Sequence, residues 1–260
     1  MNPDLAYANA DFIPNATQFP PRWSHQATEF RAKAKNLRTG LRYGPGSRQI
    51  LDLVLPEGVP HGLVVFVHGG YWRAFSHATW THLAAGPLAQ GWAVALPCYT
   101  LAPDGRISGI TREVARAIDL AAGEVQGPIV LAGHSAGGHL VARMNCADVA
   151  PKSADRIRRI LAISPLGDLR PLLHTSMNAD LRLDPAEAEA ESPALATDRL
   201  HIPTTVWVGA QERPAFLDQA RGLAEAWSEA RLRVAPGRHH FDVIDPLEHP
   251  ESALTRALLA

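Results

Sequence analysis

The chain has 260 residues, enough for one large domain or two small ones with a sizeable apolar core. Its 25 Lys and Arg residues balance 26 Asp and Glu residues, so the formal net charge is −1 at pH 7. No basic block stands out, and the composition therefore argues against a nucleic-acid partner.

The first twelve residues, MNPDLAYANADF, have neither the basic start nor the apolar core of a signal peptide. No apolar run in the sequence is long enough to span a membrane. A cytoplasmic protein without a membrane partner is therefore expected. Cys98 and Cys146 each lie in an apolar segment, which predicts two buried free thiols rather than a disulfide.

Residues 1–40 stand outside the pattern of the rest of the chain and form an N-terminal extension. They begin with the turn-rich stretch NADFIPNATQFPP and continue with SHQATEFRAKAKN, residues 24–36. The second stretch predicts a helix with Ser24 as its N-cap, because a serine side chain satisfies free N–H groups at a helix start.

From residue 48 onward, short apolar runs alternate with helical patterns. Strands are predicted in RQILDLVLP, GLVVFVHGG, WAVALPCY, PIVLAGHSAGG, RIRRILAISP, TTVWVGAQE and RLRVAPG. Helices are predicted in HATWTHLAAGPLAQG, GITREVARAIDLAAGEV, GHLVARMNCA, PAFLDQARGLAEAWSEA and SALTRALLA. This alternation predicts an α/β fold, a mostly parallel sheet with helices on both faces. Without internal repeats or a Gly/Ser-rich linker, residues 1–260 are interpreted as a single domain.

Residues 165–203 separate two predicted strands by more than a simple crossover needs. A long connection of this kind is often a lid or a substrate-binding element. Two ordinary helices packed on the rim of the sheet are the alternative, and the sequence leaves both open.

The segment GHSAG, residues 133–137, lies between a predicted strand and a predicted helix. A G-x-S-x-G in this position is typical of the nucleophile elbow of α/β-hydrolases, a strained turn that projects the serine hydroxyl above the sheet. Ser135 is therefore the candidate nucleophile. The alternative is a glycine-rich turn with an incidental serine.

A serine nucleophile needs a base and an acid that orients the base, and in this fold they follow in the order acid, then histidine. The segment PGRHHFDV after the last predicted strand offers His239 and His240; His240, directly before Phe241, is favoured. Glu212, in the loop GAQE after the strand TTVWV, is the favoured acid. Its rival is Asp168 in SPLGDLRP, which is also suited to capping the following helix.

The segment HGGYW, residues 68–72, follows the Val-rich strand. Attack on a carbonyl creates an oxyanion that needs backbone N–H donors fixed in advance. Gly70, with Tyr71 as a second donor, and Ala136 after the nucleophile are the candidate oxyanion-hole residues. His68 precedes the elbow, the wrong order for a base, and is interpreted as a residue that organises the loop.

Four aromatic residues are candidates for a substrate pocket, or else belong to the core: Tyr71, Trp72, Phe75 and Phe241. The C-terminal segment HHFDVIDPLEH contains potential metal ligands. Its spacing matches no zinc signature, so neither a metal nor another cofactor is expected, and the expected partner is a small-molecule substrate.

Together these motifs resemble the α/β-hydrolase superfamily, and within it the kynurenine formamidase (arylformamidase) branch. The resemblance rests on HGGYW, CYTLAP, GHSAGGHL, SPLGDLRPL, TSMN, GAQERPAFLDQA and HHFDVIDPL and covers most of the chain. It implies an α/β-hydrolase fold and hydrolysis of N-formyl-L-kynurenine to kynurenine and formate, with small aryl esters as further substrates. By analogy it also leaves a homodimer open.

Two departures limit what the resemblance implies. Glu212 stands where many members have Asp, and residues 165–203 belong to a region too variable to fix the substrate. Proteins of this pattern are often named only esterase, lipase or thioesterase. A short-chain carboxylesterase or thioesterase is therefore the alternative activity, and a non-catalytic binding protein of the same fold is the alternative of another class.

Overall fold

The computed structural model describes residues 2–260 and contains one eight-stranded sheet. Its strands are β1 (Leu37–Arg42), β2 (Ile50–Val54), β3 (Leu63–Val67), β4 (Ala93–Pro97), β5 (Ile129–His134), β6 (Ile157–Ile163), β7 (Thr204–Gly209) and β8 (Ala230–Ala235). Their order is β1-β2-β4-β3-β5-β6-β7-β8. The pairs β1–β2 and β2–β4 are antiparallel, and all other pairs are parallel.

Helices cover both faces of this sheet, and the predicted α/β fold is confirmed. They are α1 (Pro3–Tyr7), α2 (Phe19–Lys33), α3 (Ala85–Ala89), α4 (Ile107–Glu124), α5 (Ala136–Arg143), α6 (Asn178–Leu181), α7 (Pro185–Ala190), α8 (Pro214–Ala226) and α9 (Ala253–Leu259). No helix among residues 2–260 is both long enough and apolar enough to cross a membrane.

Strand β3 shows why the sheet needs cover on both faces. Leu63, Val65 and Val67 pack into one apolar cluster with α4 and α5, whereas Val64 and Phe66 pack into a second cluster with α2 and α9. All five are at most 4% exposed, and burying each such side chain contributes about 1.5–3 kcal/mol. A continuous apolar run is the pattern that a parallel strand buried on both sides requires.

The N-terminal part differs from the prediction. Helix α2 begins at Phe19, not at Ser24, and Ser24 caps nothing. Pro20 and Pro21 lie in the first turn of α2, where a missing N–H costs no hydrogen bond. Strand β1 follows α2 and was not predicted, because its LRTGLR sequence is largely exposed at the sheet edge.

Two other segments are less regular than expected. The predicted helix over residues 77–91 is a 3₁₀ helix, His77–Ala84, followed by the short α3. Residues 165–203 contain α6, α7 and two 3₁₀ helices, Arg170–His174 and Pro193–Leu195. These are four short pieces rather than two ordinary helices.

The parallel strands carry the candidate residues to one edge of the sheet. HGGYW follows β3, Ser135 follows β5, Glu212 follows β7 and His240 follows β8. Carboxyl ends of parallel strands meet at the same edge, which is where open α/β sheets bind ligands.

Candidate active site

Ser135 occupies the sharp turn between β5 and α5. Its backbone has φ 56° and ψ −118°, a conformation that costs a residue with a side chain on the order of 1–3 kcal/mol. The turn is held by the Ser135 N–H, which donates to the carbonyl of Ile163 on the neighbouring strand at 2.8 Å. This is the geometry of a nucleophile elbow.

Glycines flanking Ser135 allow the strand and helix to meet. A Cβ atom at Gly137 would lie 2.0 Å from the carbonyl oxygen of Val67, and one at Gly133 would lie 2.2 Å from the carbonyl oxygen of Gly137. Both distances are far inside van der Waals contact. The two glycines of the GHSAG motif are therefore required by packing around the turn.

Glu212 and His240 form a buried pair. The Nδ1–H of His240 donates to Oε2 of Glu212 at 2.6 Å. The other carboxylate oxygen, Oε1, accepts from the Ser164 hydroxyl at 2.5 Å and from the Gly209 N–H at 2.8 Å. Because the Glu212 side chain is 0% exposed, these three bonds fix both of its oxygens and leave Nε2 of His240 for other partners.

His240 is enclosed by neighbours that hold its orientation. The Nε2–H of the buried His134 donates to the His240 carbonyl oxygen at 2.9 Å. The Phe216 ring lies 4.3 Å from the His240 ring. Burial, and next the proximity of His240, lower the pKa of His134 well below its usual range, so His134 is neutral and brings no second positive charge to the site.

The rival residues lie in other environments. Asp168 pairs with Arg170 at 2.7 Å and accepts from the Arg170 N–H at 2.9 Å. The ring of His239 packs on Phe19, and its Nδ1 accepts from the N–H of Phe241 at 3.2 Å. The structure thus brings Glu212 and His240 together and places Asp168 and His239 elsewhere.

The HGGYW loop has an unusual backbone next to Ser135. Gly70, Tyr71 and Trp72 have φ values of 111°, 50° and 55°, and a Cβ at Gly69 would lie 3.1 Å from Ser135 Cβ. Within residues 2–260, the N–H groups of Gly70, Tyr71 and Ala136 donate to no protein acceptor. The loop and the first residue of α5 therefore offer free donors beside the serine.

His68 lies at the base of this loop. It is 1% exposed and stacks on Tyr99, with ring centroids 4.3 Å apart. The Tyr99 hydroxyl donates to the His68 carbonyl oxygen at 2.9 Å. Burial raises the pKa of the Cys98 thiol, but the neighbouring imidazoles of His68 and His77 lower it to about 5 overall. These contacts anchor the first residue of the loop.

The two cysteines behave as expected from the sequence. Cys98 and Cys146 are both free and buried. Among residues 2–260, no group of three or more His, Cys, Asp or Glu side chains is arranged to hold a metal ion.

Ser135 and His240 line one cavity of about 620 Å³, a size that suits a small substrate. Three of the predicted pocket aromatics, Tyr71, Phe75 and Phe241, lie in its wall. The prediction for Trp72 is wrong. Trp72 is 0% exposed and packs edge-on against His139 in the core, with ring centroids 5.1 Å apart.

Sequence reasoning missed several residues of this site. Ser164, which binds Glu212, directly follows β6, whose carboxyl end lies at the same sheet edge, and that position was the available signal. The N-terminal extension supplies part of the cavity wall, for which the sequence carried no signal. The residues of the extension that line the cavity are Asp4, Tyr7, Ala8, Asn9, Ala10, Asp11, Pro20 and Trp23.

Comparison with known proteins agrees with this geometry. Residues 64–259 match the model of the alpha/beta hydrolase family. The chain belongs to that family. The predicted family resemblance and fold are confirmed, and the protein is a hydrolytic enzyme.

Individual relatives of this alpha/beta hydrolase have more specific names. It is 28% identical to the kynurenine formamidase of Danio rerio over 276 aligned residues, covering 92% of each chain. It is 53% identical to a candidate thioesterase of known crystal structure from Silicibacter sp. TM1040, with a TM-score of 0.98 and 100% of both chains covered. The carboxylesterase EstE1, from a metagenomic library, shares its fold at 18% identity, with a TM-score of 0.71 and coverage of 94% and 98%.

Proposed function

We propose that this alpha/beta hydrolase cleaves a small acyl group from an ester or an arylformamide through a covalent acyl-enzyme. Ser135 is the nucleophile, His240 the base and Glu212 the residue that orients His240. The N–H groups of Gly70, Tyr71 and Ala136 form the oxyanion hole.

The reaction has two stages in this proposal. Ser135 Oγ attacks the carbonyl carbon and its proton passes to His240 Nε2, while the developing oxyanion accepts from the free backbone N–H groups. His240 then gives that proton to the departing alcohol or amine, and the acyl–Ser135 bond remains. A water molecule, deprotonated by His240, releases the acid and restores Ser135.

The observation that carries this proposal is the 2.6 Å bond between His240 Nδ1 and Glu212 Oε2. It fixes the tautomer in which Nε2 of His240 is free to accept a proton. The His240 side chain lines the same cavity as Ser135. A protein that only binds a ligand has no need of this buried pair.

Two substrate classes are compatible with the cavity. The aromatic wall of Tyr71, Phe75 and Phe241 suits an aryl leaving group, and relatives named kynurenine formamidase favour N-formyl-L-kynurenine. The 53% identical protein from Silicibacter sp. TM1040 is named a thioesterase, which favours a thioester substrate instead. We propose the arylformamide as the first candidate and a short thioester or ester as the second. The cytoplasmic location and the homodimer remain predictions.

A substrate series tests these proposals. The experiment measures kcat/KM for N-formyl-L-kynurenine, for p-nitrophenyl esters of increasing acyl length and for acyl thioesters, with Ser135→Ala as the blank. Preference for N-formyl-L-kynurenine supports the first candidate, and negligible deformylation beside good thioester or ester turnover replaces it with the second. A Ser135→Ala variant that kept a tenth of the wild-type rate would overturn the mechanism.

Labelling with a fluorophosphonate probe tests the nucleophile without a substrate. The wild-type protein should be modified at Ser135 and nowhere else. Labelling of the Ser135→Ala variant, or no labelling of the wild type, contradicts the assigned role.

A further inference from the structure

Tyr71 holds a strained backbone conformation beside Ser135. Its φ of 50° is left-handed, which costs a residue with a side chain on the order of 1–3 kcal/mol and persists only where surrounding contacts hold it. The next residue, Trp72, is equally left-handed, but it is 0% exposed and its carbonyl oxygen accepts from the Ala102 N–H at 2.8 Å. Tyr71 itself makes no backbone hydrogen bond within residues 2–260. Its side chain therefore has to hold it in place.

The Tyr71 side chain is bound by two helices at once. Its hydroxyl donates to the carbonyl oxygen of Tyr7 in α1 at 2.7 Å. Its ring packs edge-on against Phe216 of α8, with ring centroids 6.4 Å apart. The ring contact leaves the tyrosine free to slide, whereas the hydrogen bond fixes its direction. The orientation of the HGGYW loop at Tyr71 thus depends on a residue of the N-terminal extension.

Helix α1 is itself held firmly, so the Tyr7 carbonyl is a fixed acceptor. The Gln219 amide donates to the Tyr7 hydroxyl at 3.0 Å, and the Tyr7 ring packs edge-on against Phe216 at 5.9 Å. At the other end of the helix, Asp4 accepts from the Ser176 N–H at 2.6 Å. A group that positions a catalytic donor needs this kind of rigid support.

We infer that the Tyr71 hydroxyl is a positioning group, which through the Tyr7 carbonyl holds the Tyr71 N–H in the orientation that the oxyanion hole requires. Helix α1 therefore contributes to catalysis, although it lies outside residues 64–259, which match the family model. The inference rests on the proposed function and adds to it the dependence of oxyanion stabilisation on the N-terminal extension.

Tyr71→Phe tests this role, because it keeps the ring and removes only the hydroxyl. The kcat for p-nitrophenyl acetate should fall by roughly tenfold, less than the 10²–10³-fold that the loss of a whole oxyanion donor costs. KM should stay within about twofold, because the oxyanion forms only after the substrate has bound. Fluorophosphonate titration carried to completion counts the active sites, so a smaller folded fraction cannot account for a lower kcat.

Two ketone inhibitors provide a second measurement. Ser135 adds to the carbonyl carbon of 2,2,2-trifluoroacetophenone, the serine proton passes to His240, and the resulting alkoxide occupies the oxyanion hole. Acetophenone has the same ring but a carbonyl that resists addition. In Tyr71→Phe, Ki for the trifluoromethyl ketone should rise by roughly tenfold, whereas Ki for acetophenone should change by less than about twofold.

Tyr43→Phe is the matched control. The Tyr43 hydroxyl donates to the Cys98 carbonyl oxygen at 2.6 Å, a bond of nearly the same kind and length, and Tyr43 lies outside both the HGGYW loop and the cavity lining. Its loss should change kcat and both Ki values by less than about twofold.

A double-mutant cycle tests whether α1 acts through the Tyr71 hydroxyl. Tyr7→Phe frees α1 from Gln219 but keeps the Tyr7 ring and carbonyl. It should lower kcat by roughly threefold in the wild type and cause no further loss in Tyr71→Phe, because coupled residues are not additive.

Unchanged kcat and trifluoromethyl ketone binding in Tyr71→Phe, an equal loss in Tyr43→Phe, or additive losses in the double variant each overturns the positioning role. Failure of the proposed function has a different signature, since the wild type would then show neither turnover nor fluorophosphonate labelling. That outcome would overturn this inference as well.

Discussion

Ser164 and Glu212 are joined by a 2.5 Å hydrogen bond on the side of the carboxylate that faces away from His240. Ser164 follows β6 with φ 47°, and its own N–H donates to the Trp207 carbonyl oxygen at 2.6 Å. The strained turn therefore aims the hydroxyl at Glu212. Ser164 does not line the cavity, and its hydroxyl bonds to Glu212, so it is a positioning residue that acts through the carboxylate.

Ser164→Ala should lower kcat/KM for p-nitrophenyl acetate by roughly tenfold, because one charge-assisted hydrogen bond to a buried carboxylate is worth about 1.5–3 kcal/mol. Glu212→Gln should cost far more, on the order of 10³-fold or above, because the amide favours the wrong imidazole tautomer. Steady-state kinetics of both variants checks the order. Equal losses, or no loss in Ser164→Ala, would contradict the positioning role.

The two adjacent histidines provide a matched comparison. His240→Ala should abolish nearly all turnover, because no other side chain pairs with Glu212 at that place. His239→Ala should keep activity within about fivefold, because His239 packs on Phe19 and contacts Asp242 but does not line the cavity. Activity with p-nitrophenyl acetate, measured after circular dichroism confirms folding, decides the assignment. An inactive His239→Ala variant beside an active His240→Ala variant would reverse the assignment of the base.

The strand–turn–helix signals were strong enough to predict the fold and to single out the three residues of the proposed triad. Ser135, Glu212 and His240 each follow an apolar run whose end the sequence marks with glycine or polar residues. Their convergence then follows from parallel strand topology. At these three strand ends the local sequence pattern agrees with the overall fold, so the positions of the three residues could be predicted from the sequence.

The missed features depend on tertiary contacts that leave no local pattern. Trp72 and Tyr71 are neighbours in sequence, yet their left-handed backbones turn one into the core and the other into the cavity. Asn9 reaches the cavity only because α1 docks near α8 and on the 3₁₀ segment after β6. The sequence shows that the N-terminal extension has helices and turns, but not which surface they cover.

Alanine variants of the two buried cysteines, Cys98 and Cys146, provide a second matched comparison. Cys98 interacts with His68 and His77 behind the HGGYW loop, whereas burial raises the pKa of Cys146 to about 11 and keeps it a neutral thiol. Cys98→Ala removes a buried side chain that lies beside both imidazoles, so the free energy of unfolding should fall by roughly 1–2 kcal/mol. Because His68 begins the loop, kcat/KM should fall by about tenfold as the N–H donors shift.

Cys146→Ala is the control for this experiment. It should also lower the free energy of unfolding, by about 1 kcal/mol from the small cavity it leaves, but change kcat/KM by less than about twofold. Urea denaturation and ester kinetics measure the two effects separately. If both variants lose activity equally, the Cys98 cluster has no special connection to the loop.

Asp245 should make stability depend on pH where α2 meets the C-terminal segment. It pairs with Arg22 at 2.8 Å, yet its pKa rises from 3.8 to about 6, because burial, with Asp242 and Glu248 nearby, outweighs Arg22. The folded state thus favours the protonated carboxyl. The resulting stability is complete below pH 3.8 and is lost as pH rises through about 6.

Asp245→Asn keeps the shape of the side chain and removes this titration. Relative to the variant, the wild type should lose roughly 1–3 kcal/mol of unfolding free energy between pH 4 and 7.5. Urea denaturation at several pH values in that interval measures the difference, and the exposed Asp155→Asn is the charge-matched control. A difference that stays constant with pH, or grows in favour of the wild type, would show that the Arg22 ion pair outweighs the cost of burying Asp245.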